Sequence, residues 1–216
     1  MNCPYRFICK IGYHNNVLMK YDSDIHPRKS IRLKDYDYSR IGAYFITICT
    51  YEKEYIFGNV ENERMSLNQF GKMVLEYWNS LPGRYTNIEL DAFVIMPNHV
   101  HGIIKIIEIV GAIHELPLQT ANINPKTERR RMLIPKVVGY FKMNSAKQIN
   151  TLRNTTGMPV WQRNYYEHII RNENKLNKIR EYIQNNPLKW HLDRENPERT
   201  GSDQLEDEIF DHVSYD

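Results

Sequence analysis

Only three cysteines occur among the 216 residues, Cys3, Cys9 and Cys49, and no pair has the C-x-x-C spacing. An odd set without that spacing supports neither a disulfide framework nor a zinc knuckle. No window approaches the ~18 uninterrupted apolar residues that a membrane span needs. The N-terminus also lacks an apolar block followed by small residues, which would mark a secretory signal. No internal repeat is visible. These absences lead us to expect a soluble, cytoplasmic chain with no membrane partner. What is present suits one domain with tails, since 41% hydrophobic residues can build a core and 25% charged residues are ordinary.

The net charge of +3 conceals an asymmetry. From His191 to Asp216, nine acids face two bases, a balance of −7, whereas the preceding residues carry 27 bases and 17 acids, or +10. A basic body with an acidic tail points to a polyanionic partner, although a solvated surface with a flexible end has the same count.

Residues 1–27 have no clean period and are read as an N-terminal arm. "RKSIRLKDYDYSR" (28–40) interleaves bases with Tyr36 and Tyr38. "AYFITICTY" (43–51) is β-branched and aromatic, hence a strand. "LNQFGKMVLEYWNSL" (67–81) sets Phe70, Val74 and Trp78 at helical spacing before Pro82-Gly83. "ELDAFVIMP" (89–97) and "HVHGIIKIIEI" (99–109) are apolar runs joined by a tight turn. After a polar, basic loop (110–133), Ile134, Val137, Val138 and Phe141 mark a helix over 134–153. Residues 159–171 read as a strand. Residues 172–190 read as a helix, with Asn172 as N-cap and Leu176, Ile179 and Ile183 as its buried stripe. The first six elements match a ferredoxin-like split β-α-β, an α+β fold with an antiparallel sheet and helices on one face. The domain is expected over 28–190, followed by an acidic, flexible tail over 191–216.

The stretch "VIMPNHVHGII" (94–104) carries the chemistry. Alternation along a strand sends His99 and His101 out together while Val100 points into the core. Their Cβ atoms would lie roughly 6.5–7 Å apart, close enough to converge on one divalent cation. Paired strand histidines are also common as hydrogen-bonded or surface residues. On the last helix, Tyr182 and Asn186 stand at i, i+4 on one face. An amide oxygen from Asn186 would complete a three-ligand site, with the Tyr182 phenol one turn away. Read without that context, Tyr182 is a boundary residue and Asn186 caps the helix before Pro187, which itself disfavours helical geometry at Asn186.

Six ordered blocks then make the sequence resemble a known family. "RKSIRL", "YFITICT", "VIMPNHVHGII", "FKMNSAK", "VWQRNYYEHIIRNE" and "YIQNNPL" are similar to the REP-associated tyrosine transposases of the single-tyrosine HUH superfamily, from about Arg28 to Trp190. The resemblance implies a ferredoxin-like fold and cleavage of single-stranded DNA carrying hairpins. It implies Mg²⁺ or Mn²⁺ on His99, His101 and Asn186, and no small-molecule cofactor. Tyr182 would be the nucleophile, forming a 5′-phosphotyrosyl intermediate. Tyr165 and Tyr166 are rival nucleophiles, and a DNA-hairpin binder without physiological transposition is the alternative function. Other HUH enzymes resemble the chain less. Candidate phosphate contacts are Arg28, Lys29, Arg32, Lys34, Arg129, Arg130 and Arg131, together with Lys136, Lys142 and Lys147 on the polar helix face. Trp161, Gln162 and Arg163 are candidates for stacking on or reading unpaired bases. Monomer and homodimer both stay open.

Overall fold

Alternation along Gly42–Cys49 (β1) decides the layering. Tyr44, Ile46 and Ile48 enter one buried cluster, while Phe45 enters a second cluster on the other side of the strand. The computed structural model describes residues 36–108 and 131–210. Within them β1 is followed by β2 (Gly58–Glu61), β3 (Arg64–Leu67), α1 (Gln69–Asn79), the single turn α2 (Leu81–Arg84), β4 (Ile88–Met96) and β5 (His99–Ile106). Then come α3 (Leu133–Leu152), β6 (Tyr166–Ile170), α4 (Glu173–Asn185) and α5 (Gln204–Phe210).

The main sheet has the order β4-β5-β1-β6 with every neighbour antiparallel, the arrangement expected of a split β-α-β. Val74 and Trp78 of α1 and Ile134, Val137, Val138 and Phe141 of α3 pack on the Tyr44–Ile46–Ile48 face. The expectation of helices on one face holds for this pair. The opposite face is covered as well, because Leu176, Ile179, Tyr182 and Ile183 of α4 join Ile209 and Phe210 of α5 over Phe45 and Ile103. The sheet is therefore sandwiched between two helical layers. Gly102 permits the tight side of this packing, since a Cβ there would run into the Trp78 ring.

Local chemistry explains the helix starts. Asn68 Oδ1 accepts from the backbone N–H of Phe70 and Gly71, and Asn172 Oδ1 accepts from that of Lys175. Three expectations are corrected. The hairpin β2–β3, which turns at Asn62 and Glu63 with φ of 50° and 63°, lies in a stretch assigned no element. The strand expected over 159–171 is regular only from Tyr166 to Ile170, with an isolated Thr50–Trp161 bridge before it. The segment after residue 190 is not a loose tail through residue 210, because Asp193, Asn196, Asp203, Glu206, Ile209 and Phe210 are all buried. By contacts that segment belongs to the same compact unit as the sheet. No helix among the described residues is long and apolar enough to cross a membrane.

Candidate metal centre and nucleophile

β5 begins at His99, directly after the Pro97-Asn98 turn. Val100 packs into the α1–α3 face, and both imidazoles emerge on the α4 face with no exposed surface. Their Nε2 atoms lie 2.9 Å apart. Each ring is held from behind, His99 Nδ1 lying 2.8 Å from Asn98 Oδ1 and His101 Nδ1 2.8 Å from Thr47 Oγ1. Asn98 is itself oriented, since its Nδ2 donates to the Glu195 carbonyl at 2.7 Å. Its Oδ1 must therefore accept from an N–H on His99 Nδ1, which leaves a lone pair on Nε2 of the neutral ring. Burial pushes His99 down to about 4, so the ring is neutral at physiological pH.

The group that completes the pair is Asp193. Its Oδ2 lies 3.6 Å from His99 Nε2 and 3.9 Å from His101 Nε2. The ligand atoms of all three residues fall within 4.8 Å of one another. Two ligands at right angles around a small divalent cation sit about 3 Å apart, so this spacing is close to what one ion requires. Burial works to raise the Asp193 carboxyl, but His99, His101 and the Asn186 amide outweigh it and hold it below the usual carboxylate range.

Asn186 is the C-cap of α4 and keeps helical angles, φ −58° and ψ −41°, in spite of Pro187. Its Nδ2 donates to Asp193 Oδ2 at 2.7 Å, while its buried Oδ1 has no hydrogen-bond partner among the described residues. An orphaned buried carbonyl costs roughly 1–3 kcal/mol, which ligation would relieve. Two imidazoles, a carboxylate and a free amide oxygen are a donor set that could hold one divalent cation. In the structure the amide supports Asp193, whose Oδ2 lies within 3.9 Å of both Nε2 atoms.

One turn back on α4, the Tyr182 hydroxyl lies 3.0 Å from His101 Nε2 and donates to Glu206 Oε1 at 3.0 Å. Burial raises this phenol well above its ordinary pKa, and the charges of Asp193 and Glu206 add to the effect. Tyr165 packs with the cluster on the opposite face of the sheet, and Tyr166 packs on Phe210 with ring centroids 4.8 Å apart. Glu206 was missed by sequence reasoning, as was Asp193. Both lie beyond Pro187 in a stretch without periodicity, so only their charge was legible.

The candidate DNA contacts fare unevenly. Arg28, Lys29, Arg32, Lys34, Arg129 and Arg130 lie outside the described residues. Arg131, Lys136, Lys147 and Arg163 are exposed, and Gln162 is half-buried. Lys142 spends its ammonium on three carbonyls, of Gln162 at 2.6 Å, Arg163 at 3.1 Å and Asn164 at 3.2 Å. Trp161 is corrected outright. It is 7% exposed, packs on Phe57 and Phe141, and donates from Nε1 to Ser145 Oγ at 3.0 Å, so its ring offers no face to a base.

No protein-family model matches the chain. Among solved structures it is similar to a REP-associated tyrosine transposase bound to a REP hairpin, at 19% identity and a TM-score of 0.44, covering 74% of this chain and 73% of that one. A candidate transposase from Deinococcus radiodurans R1 is similar at 16% identity and a TM-score of 0.40, covering 71% of this chain and 95% of the other. In sequence it is 45% identical over 175 residues to an uncharacterized protein of Haemophilus influenzae, covering 81% of this chain and 96% of that one. At that identity and coverage, the chain belongs to the same family as the Haemophilus influenzae protein.

Proposed function

We propose that this chain is a metal-dependent, transposase-like enzyme that cuts and rejoins single-stranded DNA carrying hairpins, with Tyr182 as its nucleophile. The observation that carries this reading is the Tyr182 hydroxyl lying 3.0 Å from His101 Nε2, inside a buried cluster where His99, His101 and Asp193 are spaced for one cation. The six ordered sequence blocks support the same reading.

A bound Mg²⁺ or Mn²⁺ would supply Lewis acidity toward a non-bridging phosphate oxygen. His99, His101 and Asp193 would hold it, with Asn186 beside them as a further ligand through its free Oδ1. Asn98 and Thr47 fix the imidazole rings so that both Nε2 atoms face one point. The Tyr182 phenol loses its proton as its oxygen bonds to phosphorus. The bond to the 3′-oxygen breaks, and that oxygen leaves as a 3′-hydroxyl. The phosphotyrosyl diester retains the bond energy, so another 3′-hydroxyl can reverse the step and join new ends without ATP. Burial and the charges of Asp193 and Glu206 keep the phenol protonated. Neutralising Asp193 by ligation and withdrawing Glu206 would relieve both charge effects.

The test is nicking of single-stranded DNA from the flanks of the chain's own gene, followed on a denaturing gel. Chelation is expected to stop it, and Mn²⁺ or Mg²⁺ to restore it in the unaltered chain but not in His99→Ala/His101→Ala. Full activity in chelator would contradict the reading.

A further inference from the structure

Asp91 sits where β4 leaves regular pairing. Along the β4–β5 ladder Leu90 opposes Ile104 and Phe93 opposes Gly102, so Asp91 and Ala92 together oppose Ile103. Such a bulge bends the strand and re-aims a side chain. Counted back from Val94, which faces α4, strict alternation would give that face to Ala92 and the opposite face to Asp91. The extra residue instead turns both toward α4, where Asp91 meets Arg180. The contact is a two-pronged fork, with Arg180 Nε donating to Oδ1 at 2.9 Å and Nη2 to Oδ2 at 2.7 Å. Nη1 ties the guanidinium back to α4 itself, donating to Asn177 Oδ1 at 2.8 Å and to Glu173 Oε1 at 3.3 Å. Lys105 reaches the same carboxylate from β5, its Nζ lying 2.6 Å from Oδ2. On that strand it continues the α4-facing row of His99, His101 and Ile103. One acid thus joins the strand of the two histidines to the helix of Tyr182. Arg180, and after it Lys105, hold the carboxyl below the usual carboxylate range, so the bridge is charged at neutral pH.

We propose that Asp91, Arg180 and Lys105 are positioning residues that set Tyr182 in register with the metal ligands. This rests on the reading of Tyr182 as nucleophile. The three act through the helix and not at the hydroxyl. Leu176, Ile179 and Ile183 press α4 onto the sheet, but apolar burial is non-directional and tolerates small slides and rolls of the helix. A planar guanidinium fork on a carboxylate is directional and restrains both motions. Arg180 lies two residues before Tyr182, so a shift at the fork carries to the hydroxyl, which stands 3.0 Å from His101 Nε2. A displacement of about 1 Å at a reacting atom costs on the order of 100-fold in rate.

The test is single-turnover nicking at saturating single-stranded DNA and Mn²⁺, well below the melting temperature of each variant, beside separate measurements of DNA and Mn²⁺ affinity. Asp91→Asn and Arg180→Gln are each expected to slow the cut about 10–100-fold, with both affinities kept within about twofold. The double variant is expected to be no slower than the slower single, because the two side chains act as one unit. Arg180→Lys keeps the charge without the fork and should fall between Arg180→Gln and the unaltered chain. Lys178→Gln, which cuts the exposed ion pair of α4 with Glu208, is the control and should leave the rate unchanged. A merely structural clamp would lower the melting temperature and spare the rate of folded molecules, and that result overturns the proposal. Equal slowing in Lys178→Gln, or a loss that falls on DNA affinity instead of rate, overturns it as well. In each of these cases the unaltered chain still nicks and the DNA-cleaving reading stands. An unaltered chain that does not nick would sink both.

Discussion

Asp193 and Asn186 compete for one role, and metal binding separates them. With Oδ2 of Asp193 within 3.9 Å of both Nε2 atoms, Asp193→Ala is expected to abolish measurable Mn²⁺ binding by calorimetry without DNA. Asn186→Ala, which removes the N–H that orients the carboxylate, is expected to weaken it about 10-fold. The reverse order would give the ligand role to the amide. His99 sets the pH response. Its folded value of about 4 lies below the ordinary 6.5, so the fold favours the neutral ring. That stability is complete above pH 6.5 and is lost as pH falls toward 4, a span on the order of 3 kcal/mol. His168, also pushed down to about 4 by burial, acts in the same direction. The metal-free melting temperature should therefore fall between pH 6.5 and 4.5, and Mn²⁺ should raise it wherever the folded ring stays neutral, at pH 5 as at pH 7.5. A flat profile would contradict this. Which residues were legible follows from locality. His99 and His101 sit two apart on a strand, and Tyr182 and Asn186 four apart on a helix, so their sharing of faces needs no tertiary knowledge. The bonds from Tyr182 to Glu206 and from Asn186 to Asp193 leave those elements, and no periodicity announces them.

At the scale of elements, long and strongly patterned segments were readable. The stripe from Ile134 to Phe141 and the run from His99 to Ile106 appear where expected. Short elements were not. β2 and β3 have four residues each, too few for alternation to stand out, and α5 has seven. The false strand before Tyr166 has a physical cause, since Trp161 is held by Ser145 and the next three carbonyls by Lys142, which takes them out of a ladder. Phe210 tests the importance of α5. Its ring packs on Phe45, Tyr166 and Tyr182, with centroids 4.8–6.0 Å away, so Phe210→Ala should cost about 2–4 kcal/mol in denaturant unfolding. A loss below about 0.5 kcal/mol would mean that α5 is loosely held. Trp161→Phe offers the complementary check. It should lower stability by at least about 1 kcal/mol, through lost volume and the lost bond to Ser145, and leave DNA affinity per folded molecule unchanged. A selective loss of DNA affinity would return Trp161 to the binding surface.

Across the whole molecule, the charge split of +10 and −7 takes on a different meaning once the segment after residue 190 is seen packed. Several of its acids among the described residues are held in place. Asp203 pairs with Lys189 at 3.0 Å, Glu208 with Lys178 at 2.7 Å, and Asp193 and Glu206 sit inside the candidate site. The acidic segment thus completes the site that the basic body begins, and both meet at the Tyr182 hydroxyl. On the proposed mechanism this hydroxyl bonds covalently to DNA. Incubating the chain with single-stranded DNA from its gene's flanks and Mn²⁺, then mapping any adduct by mass spectrometry of the digested protein, tests it directly. A nucleotide-bearing peptide modified at Tyr182 is expected, absent from Tyr182→Phe even though that variant still binds DNA. An adduct at Tyr165 or Tyr166, or one that persists in Tyr182→Phe, would contradict it.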